Sequence, residues 1–263
     1  DRSPSRGLGD VYKRQVIMLN EDDIGKWQRE LLVWICNNIF NFDIQKYVVR
    51  NGSYTEKVKN AILKSAKWLE ENTKNHLITI VPFDRYQTQK AIKVIKKFAN
   101  MGVKYFLLDT FKMDSGKVSE NSWVAMQQSM VDIFDTVKSE SLNVHILVTF
   151  QLNKSSARQR YYTQDNIGQA KNIIDPTSTC IMIRDMFDDE YTGENKELKV
   201  YRLDGKNKQT KIEVKLDKNK RYQILFLIKT REGSSNAYQI VLEHDLSRNI
   251  INEIGITQVL PDF

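Results

Sequence analysis

The first 150 residues alternate between short apolar runs and longer amphipathic stretches. The apolar runs predict buried strands at residues 16–19, 76–82, 103–110 and 143–153. Between them, apolar side chains recur at intervals of three and four residues, which predicts helices over residues 24–38, 55–71, 87–98 and 121–139. Because strands alternate with helices, we expect parallel strands in a wound sheet.

The pattern changes in the last third of the chain. From about Leu198 onward, apolar and polar residues alternate one by one, at residues 198–200, 212–216, 224–228 and 237–242. This period of two is typical of antiparallel hairpins. A further strand is predicted at residues 177–184. The expected fold is therefore α/β, with a mostly parallel wound sheet and C-terminal antiparallel β-hairpins.

The chain has 263 residues and a formal charge of +7. Residues 5–15, SRGLGDVYKRQ, are identified as a translated transposon-type sequencing adapter, so we expect residues 1–15 not to be native. Without them the charge falls to +5, and the remaining 248 residues suffice for one large domain. This basic excess fits a polyanionic partner, and it fits a lysine-rich soluble protein equally well.

The two cysteines, Cys36 and Cys180, are far apart in sequence and have apolar neighbours. This usage indicates a reducing, cytoplasmic compartment. The three histidines have no metal-ligand spacing. No apolar run approaches the roughly 18 residues that a membrane span requires, so we expect no membrane association.

One apolar run ends abruptly in an acid, Asp109. Open parallel sheets bind ligands at the carboxyl ends of their strands. A carboxylate at that edge can hold Mg²⁺ beside the phosphates of a nucleotide, as in P-loop NTPases. The alternative is an ordinary turn or helix cap.

Two other polar residues follow predicted strands. Glu21 lies in the acidic cluster 20–23 after the first strand, where it either stabilises the start of the next helix or polarises a water that attacks a phosphate. Gln151 ends the strand at residues 143–153, and its amide either donates to a γ-phosphate or serves a turn.

Two basic segments are candidates for binding anions. Residues 154–171 interleave tyrosines with cations, which suits single-stranded nucleic acid and equally a solvated loop; its candidate residues are Lys154, Arg158, Arg160, Gly168 and Lys171. Lys229 and Arg231 occupy alternate positions at a strand end, so we expect them to point the same way.

The order and spacing of five segments resemble the C-terminal, RecA-like ATPase domain of DnaB-type replicative helicases, including phage primase-helicases. The segments are NEDD, YFLLDT, VTFQLNK, DNIGQAKNIIDPTSTCIMIRD and KTREG, within residues 16–254. The resemblance implies that Glu21 is the catalytic acid, with Asn20 as the alternative register. It also implies that Asp109 is the Walker B metal holder and Gln151 a sensor. Lys229 and Arg231 then reach the ATP site of a neighbouring subunit.

The chain departs from that family in two places. The Walker A loop, GxxxxGK[ST], is absent, as expected if residues 16–263 begin just after it, and we expect this segment alone to be inactive. Asp165 is followed by Asn166 and Ile167, where the family has a basic residue. DNA contact there then depends on backbone amides around Gly168 or on Arg158 and Arg160.

The resemblance implies an ATP-driven, Mg²⁺-dependent replicative DNA helicase that moves on single-stranded DNA. Its expected partners are other copies of the chain in a ring, typically a hexamer, together with a primase and a helicase loader. Two alternatives stay open: a RecA-like ATPase of the recombination or clock type, and a non-catalytic nucleic-acid-binding or loader module. A GxxxxGK[ST] motif encoded upstream of Val16 would separate the enzymes from the last alternative.

Overall fold

The computed structural model describes residues 14–52, 54–75, 77–115, 122–204, 210–233 and 237–261. The chain divides into two compact units, Asp1–Gln151 and Leu152–Phe263. None of the helices within the described ranges is long and apolar enough to cross a membrane.

The first unit contains a four-stranded, fully parallel sheet. Its strands, in the order β2-β1-β3-β4, are β1 Gln15–Leu19, β2 Ile78–Pro82, β3 Tyr105–Asp109 and β4 His145–Val148. The register places Leu19 of β1 opposite Asp109 of β3. All four strands were predicted, and the expectation of parallel pairing is confirmed.

Five helices accompany this sheet. They are α1 Ile24–Trp34, α2 Lys46–Asn51, α3 Glu56–Lys74, α4 Thr88–Asn100 and α5 Ser122–Val137. A π-helical turn, Ile35–Ile39, continues α1. The short helix α2 was not predicted, because six residues are too few to show a helical period.

Local sequence signals explain where the helices begin and end. The side chain of Asp23 accepts a hydrogen bond from the backbone N–H of Lys26 at 2.8 Å, so within the acidic cluster this residue caps α1. Thr55 caps α3 in the same way through the N–H of Val58. After α4, Gly102 adopts a φ of 88°, a conformation that favours glycine and ends the helix.

The core of the first unit lies between the sheet and its helices. Val16, Met18 and Leu108 in the sheet are fully buried, and so are Ala91 and Ile95 on one face of α4. Their removal from water supplies the main stabilisation of this unit.

The second unit is built on a six-stranded sheet of order β5-β8-β9-β10-β6-β7. The strands are β5 Thr179–Asp185, β6 Val200–Asp204, β7 Thr210–Val214, β8 Tyr222–Thr230, β9 Gln239–Asp245 and β10 Ile250–Thr257. Every pairing among them is antiparallel, which confirms the predicted hairpins. Strand β10 was missed because polar residues interrupt its alternation.

The structure differs from the prediction in the segments that follow β4. Strand β4 ends at Val148, and Gln151 lies three residues beyond it. The backbone of Thr149 still pairs with the β3 segment, donating to the carbonyl of Leu108 at 3.1 Å and accepting from the N–H of Phe111 at 2.7 Å. The segment from Lys154 folds into two 3₁₀ helices, Lys154–Arg158 and Gln164–Ile174. In the first, the Asn153 side chain accepts from the backbone N–H of Ser156.

Strand β10 lies close to β6 at Gly255. The pairing of β10 with β9 shifts register between Glu253 and Gly255, as in a β-bulge. A Cβ atom at position 255 would lie 2.5 Å from the carbonyl oxygen of Tyr201 and 2.8 Å from its carbon. Both are backbone atoms of β6, so a side chain here cannot be accommodated by a rotamer change.

We therefore expect Gly255→Ala to lower the free energy of unfolding by roughly 1–3 kcal/mol, because the added methyl group forces two strands apart. Chemical denaturation of the variant measures this loss. Asn252→Ala, at an exposed position of the same strand, is the matched control and should change stability by less than about 0.5 kcal/mol. Equal stability of the two variants would contradict the close approach.

Candidate functional site

The carboxyl ends of β1 and β3 meet where the strand order of the parallel sheet reverses. The chain leaves β1 toward β2 on one side and leaves β3 toward β4 on the other. Such a switch point opens a crevice that binds ligands in open α/β sheets. Glu21 follows β1 and Asp109 ends β3, so both predicted acids lie at this crevice.

Asp109 is held by three side chains from three different segments. Its Oδ1 accepts hydrogen bonds from the hydroxyls of Thr149 at 2.8 Å and Thr110 at 3.2 Å. Its Oδ2 accepts from the indole Nε1 of Trp27 on α1 at 3.3 Å. The carboxylate is therefore fixed in orientation at the end of a rigid strand.

The Thr110 hydroxyl lies between the two acids. Its Oγ1 is 2.9 Å from Oε2 of Glu21 and 3.2 Å from Oδ1 of Asp109. Because a hydroxyl has one proton, Thr110 donates to only one of these carboxylates at a time, although its oxygen lies within hydrogen-bond distance of both. Gln151 reaches the other oxygen of Glu21, because its Nε2 donates to Oε1 at 3.1 Å. We call these four residues, Glu21, Asp109, Thr110 and Gln151, the carboxylate cluster.

Asn20 has a different role from Glu21. Its Oδ1 accepts from the backbone N–H of Thr110 at 3.2 Å, and its Nδ2 donates to the carbonyl oxygen of the same residue. The backbone N–H of Asn20 also donates to the carbonyl of Asp109 at 3.0 Å. The side chain of Asn20 thus continues the pairing of β1 with β3 for one residue beyond the strands. Its amide is occupied, while the Glu21 carboxylate is exposed.

The segment after Thr110 is anchored against the start of α4. Asp114 accepts from the backbone N–H of Thr88 at 2.7 Å and from its hydroxyl at 2.6 Å, which caps α4 from a distant segment. Tyr86 packs edge-on against Phe111 with ring centroids 6.3 Å apart. Burial raises the pKa of Tyr86 to about 12, so its hydroxyl stays protonated. These contacts fix the residues that leave β3.

The donor atoms at the carboxylate cluster are all of the kind that Mg²⁺ prefers. Asp109 offers a carboxylate, and the hydroxyls of Thr110 and Thr149 lie beside it. Mg²⁺ is usually held by one or two carboxylates together with phosphates and waters. One carboxylate with neighbouring hydroxyls is the kind of donor set that nucleotide phosphates and waters would complete around Mg²⁺. Among the described residues, no group of three or more His, Cys, Asp or Glu side chains is assembled.

In the second unit, the predicted basic residue Arg160 is engaged in ion pairs. Its Nη2 donates to both carboxylate oxygens of Asp189, at 2.9 and 2.6 Å, and its Nη1 lies 3.2 Å from Glu190. Burial alone would lower the pKa of Arg160, but the two acids outweigh it and raise that pKa. The guanidinium also lies 4.8 Å from the ring centre of Phe187.

Beneath it lies a fully buried ion pair between Arg184 and Glu190. Two parallel hydrogen bonds of 2.8 Å join the guanidinium to the carboxylate, and both side chains are almost completely buried. Arg184 also donates to the carbonyl of Arg160 at 2.6 Å. Phe187 is in contact with both guanidinium groups, which lie 4.8 and 4.9 Å from its ring centre. This network ties the segment 160–162 to the end of β5.

The remaining residues of the predicted DNA-binding segment are in two groups. Lys154 and Arg158 are exposed on the first 3₁₀ helix. Gly168 and Lys171 lie outside the residues whose side-chain surroundings are described.

Lys229 and Arg231 do point the same way, as their alternation predicted. The Nζ of Lys229 donates to the carbonyls of Ile174 and Asp175, at 2.8 and 2.6 Å. Arg231 donates to the carbonyl of Pro176 at 3.0 Å. In the isolated chain both cations therefore bind the carbonyls at the end of the second 3₁₀ helix.

Sequence reasoning missed the residues that hold the acids in place. Trp27, Thr110 and Thr149 are ordinary residue types in a helix or beside a strand, and no motif distinguishes them. The one available signal was the position of Thr110 directly after the acid that ends an apolar run.

Solved structures with a similar fold are helicase and ATPase domains. A DnaB-like replicative helicase, described with its interactions with primase, matches with a TM-score of 0.63 at 12% identity, over 91% of this chain and 50% of that chain. A second solved structure, described as an ATPase domain, matches with a TM-score of 0.61 at 11% identity, over 91% of this chain and 74% of that chain. No protein-family model and no curated protein sequence matches. The chain thus spans half the length of the first structure and shares its α/β fold with these two structures.

The different contacts of Asn20 and Glu21 predict different effects on stability. Asn20→Ala should lower the free energy of unfolding by about 1–3 kcal/mol, because it leaves the N–H and carbonyl of Thr110 without partners. Glu21→Gln keeps the shape of an exposed side chain and should change stability by less than about 0.5 kcal/mol. Denaturant titration of both variants measures the difference. A stable Asn20→Ala protein would show that the amide does not hold Thr110.

Proposed function

We propose that the chain is the motor domain of an ATP-dependent DNA helicase of the DnaB-like type, which moves on single-stranded DNA during replication. The observation that carries this proposal is the carboxylate cluster at the switch point between β1 and β3. The similarity to helicase ATPase domains supports it at the level of the fold. The nucleotide is ATP and the metal Mg²⁺.

In this proposal Asp109 holds the metal. Its carboxylate is already oriented by Trp27 and Thr149, so little reorganisation is needed when a nucleotide enters. Bound Mg²⁺ would neutralise charge on the β- and γ-phosphates.

Glu21 accepts a proton from the attacking water. Its two oxygens are held by different donors, the hydroxyl of Thr110 and the amide of Gln151, so the carboxylate has a defined orientation before substrate binds. Asn20 is less suitable than Glu21 for the position of the catalytic acid, because the oxygen and the nitrogen of its side-chain amide are both hydrogen-bonded to the backbone of Thr110.

Gln151 gives the site a covalent connection to the proposed DNA-binding segment. Only two residues separate it from the 3₁₀ helix that begins at Lys154. An amide that exchanges between Glu21 and the γ-phosphate would shift this segment when the phosphate leaves. Lys154 and Arg158 are the proposed phosphate contacts there, together with the backbone at Gly168 and the side chain of Lys171.

The proposal extends to a ring of identical subunits, with Lys229 and Arg231 directed at the neighbour's nucleotide. Such a head-to-tail contact is heterologous and closes into a ring, for which we expect a hexamer. Both cations would exchange the carbonyls of residues 174–176 for phosphate oxygens. A primase and a helicase loader are the proposed further partners, and the cytoplasm the proposed compartment.

The catalytic assignment predicts that Glu21→Gln lowers ATP turnover by roughly 10²- to 10⁴-fold, because a general base is lost while the site keeps its shape. The measurement uses a protein in which a GxxxxGK[ST] segment has been placed before Val16, with binding of a fluorescent ATP analogue as the second readout. Nucleotide affinity should stay within a few fold.

Asp22→Asn provides the matched control for this experiment. It neutralises an exposed acid next to Glu21 whose partner is Lys26, so turnover should remain near that of the wild type. Wild-type turnover in Glu21→Gln would refute the assignment. Absence of turnover in the unmodified protein would favour a non-catalytic binding module.

The DNA-binding assignment predicts different outcomes for two arginines. Arg158→Gln should weaken binding to single-stranded oligonucleotides of any sequence and reduce the salt slope by about 0.7, because one phosphate contact is lost. Arg160→Gln should instead lower the free energy of unfolding by roughly 1–3 kcal/mol, because it removes the two hydrogen bonds to Asp189, while Glu190 keeps its pair with Arg184. Titrations at several salt concentrations and denaturation curves measure these changes. An unchanged slope in Arg158→Gln would show that Arg158 makes no phosphate contact.

A further inference from the structure

Helix α4 carries an unbalanced basic face. Its thirteen residues, TQKAIKVIKKFAN, include four lysines and no acid. The exposed positions are polar or basic throughout: Gln89, Lys90, Lys93, Lys96, Lys97 and Asn100. None of the ion pairs formed between described residues involves these lysines, so their charge is not neutralised within the described part of the chain.

Three of the lysines lie along one side of the helix. With 100° per residue, Lys90, Lys93 and Lys97 fall within a sector of about 60°. A rise of 1.5 Å per residue spreads them over about 10 Å of the helix axis. Phosphates on one strand of duplex DNA advance by about 3.4 Å each, so this row matches about three consecutive phosphates.

Lys96 is different, because it borders an acid. It lines a polar cleft of about 540 Å³ at the ends of α4 and α5, together with Asn100, Asp135, Thr136, Ser139 and Ser141. Asp135 is itself paired with Lys138 at 2.6 Å. Lys90, Lys93 and Lys97 do not line this cleft, so Asp135 is a neighbour of Lys96 and not of this row.

The four lysines destabilise helix α4, so the stability of the helix does not explain why they are there. Like charges three and four residues apart repel each other, which destabilises a helix. Only Lys97 lies in the last turn, where a cation favours the helix dipole. The opposite face, with Ala91, Ile92, Ile95 and Ala99 buried, is sufficient to hold α4 in place.

We propose that the basic face of α4, formed by Lys90, Lys93 and Lys97, binds the phosphate backbone of a nucleic acid, as a second contact surface besides residues 154–171. The face contains no exposed aromatic or large apolar side chain, although the Nζ of Lys97 lies 5.5 Å from the ring centre of the half-buried Phe98. Protein interfaces depend on such anchors and are poor in lysine. Point charges on flexible stems suit phosphates, which they contact without reading bases.

The test compares two triple substitutions that change the net charge equally. Lys90, Lys93 and Lys97 are replaced by Gln in one variant of the full chain. In the other, Lys59, Lys67 and Lys74 on α3 are replaced by Gln; each of these has a glutamate partner. Binding of a labelled oligonucleotide of mixed sequence, single-stranded and as a duplex, is measured without nucleotide over roughly 50 to 200 mM salt.

We expect the α4 variant to lower the slope of log K against log salt by about 2 to 3, because each lost phosphate contact contributes about 0.7 to 0.9. The α3 variant should leave the slope within about 0.5 of the wild type. The form of DNA that shows the larger change identifies the strand that is bound. Thermal unfolding should show both variants folded, with the α4 variant at least as stable as the wild type.

Equal slopes for the two variants, whether both fall or both stay, would overturn the proposal, because only total charge would then matter. A parallel titration of the α4 variant with poly-glutamate tests whether the face binds an acidic protein surface instead. If the variant loses binding to poly-glutamate as much as to DNA, the proposal is also overturned. The Arg158→Gln variant is measured separately. If it shows that residues 154–171 do not contact DNA, the comparison of the α4 and α3 variants still tests the basic face of α4.

Discussion

The parallel pairing of β1 with β3 is the interaction on which the candidate site depends. This pairing sets Leu19 opposite Asp109, so the residues that follow the two strands leave the sheet side by side. Asn20 then prolongs the pairing through its side chain, which holds both backbone groups of Thr110. With the backbone of Thr110 fixed, its hydroxyl is placed between Glu21 and Asp109. A slip of one residue would turn these side chains to the other face of the sheet.

The second unit uses charge for a structural purpose. Arg184 and Glu190 are removed from water. Such a pair is tolerated because Arg184 donates four hydrogen bonds and both carboxylate oxygens of Glu190 accept. The pair holds Arg160 through its carbonyl, while Asp189 holds the guanidinium. A basic residue that looked available for DNA in the sequence is thereby committed to the fold. Arg158, two residues earlier and exposed, has no such commitment to Asp189 or Glu190.

The lysines of α3 and α4 differ in whether acidic side chains lie beside them. On α3, Lys59, Lys67 and Lys74 each lie near a glutamate on the same helix, three or four residues away. Such exposed pairs contribute little to stability, and with five lysines and three glutamates α3 keeps a net charge of +2, against +4 on the shorter α4. On α4 the same residue type occurs without acids. The moderate positive charge of the chain is therefore concentrated on particular surfaces, and its location carries more information than its total.

Periodicity alone was sufficient for most of the fold. The strands β1 to β4 and the change to hairpins after Leu198 follow from apolar runs and alternation, because burial in a sheet or on a helix face imposes a fixed spacing on apolar residues. Asp109 and Glu21 could be selected because parallel strands bring their carboxyl ends to one edge. The helix α2 and the strand β10 were not predicted, because α2 is too short to show a helical period and polar residues interrupt the alternation of β10. The tertiary structure decided which side chains are used by their neighbours: Asn20 by the Thr110 backbone, Arg160 by Asp189, and Lys229 by the carbonyls of residues 174–175. These contacts join residues up to 90 positions apart, and a one-dimensional pattern carries no signal for a hydrogen bond whose partner is chosen by the packing of distant strands.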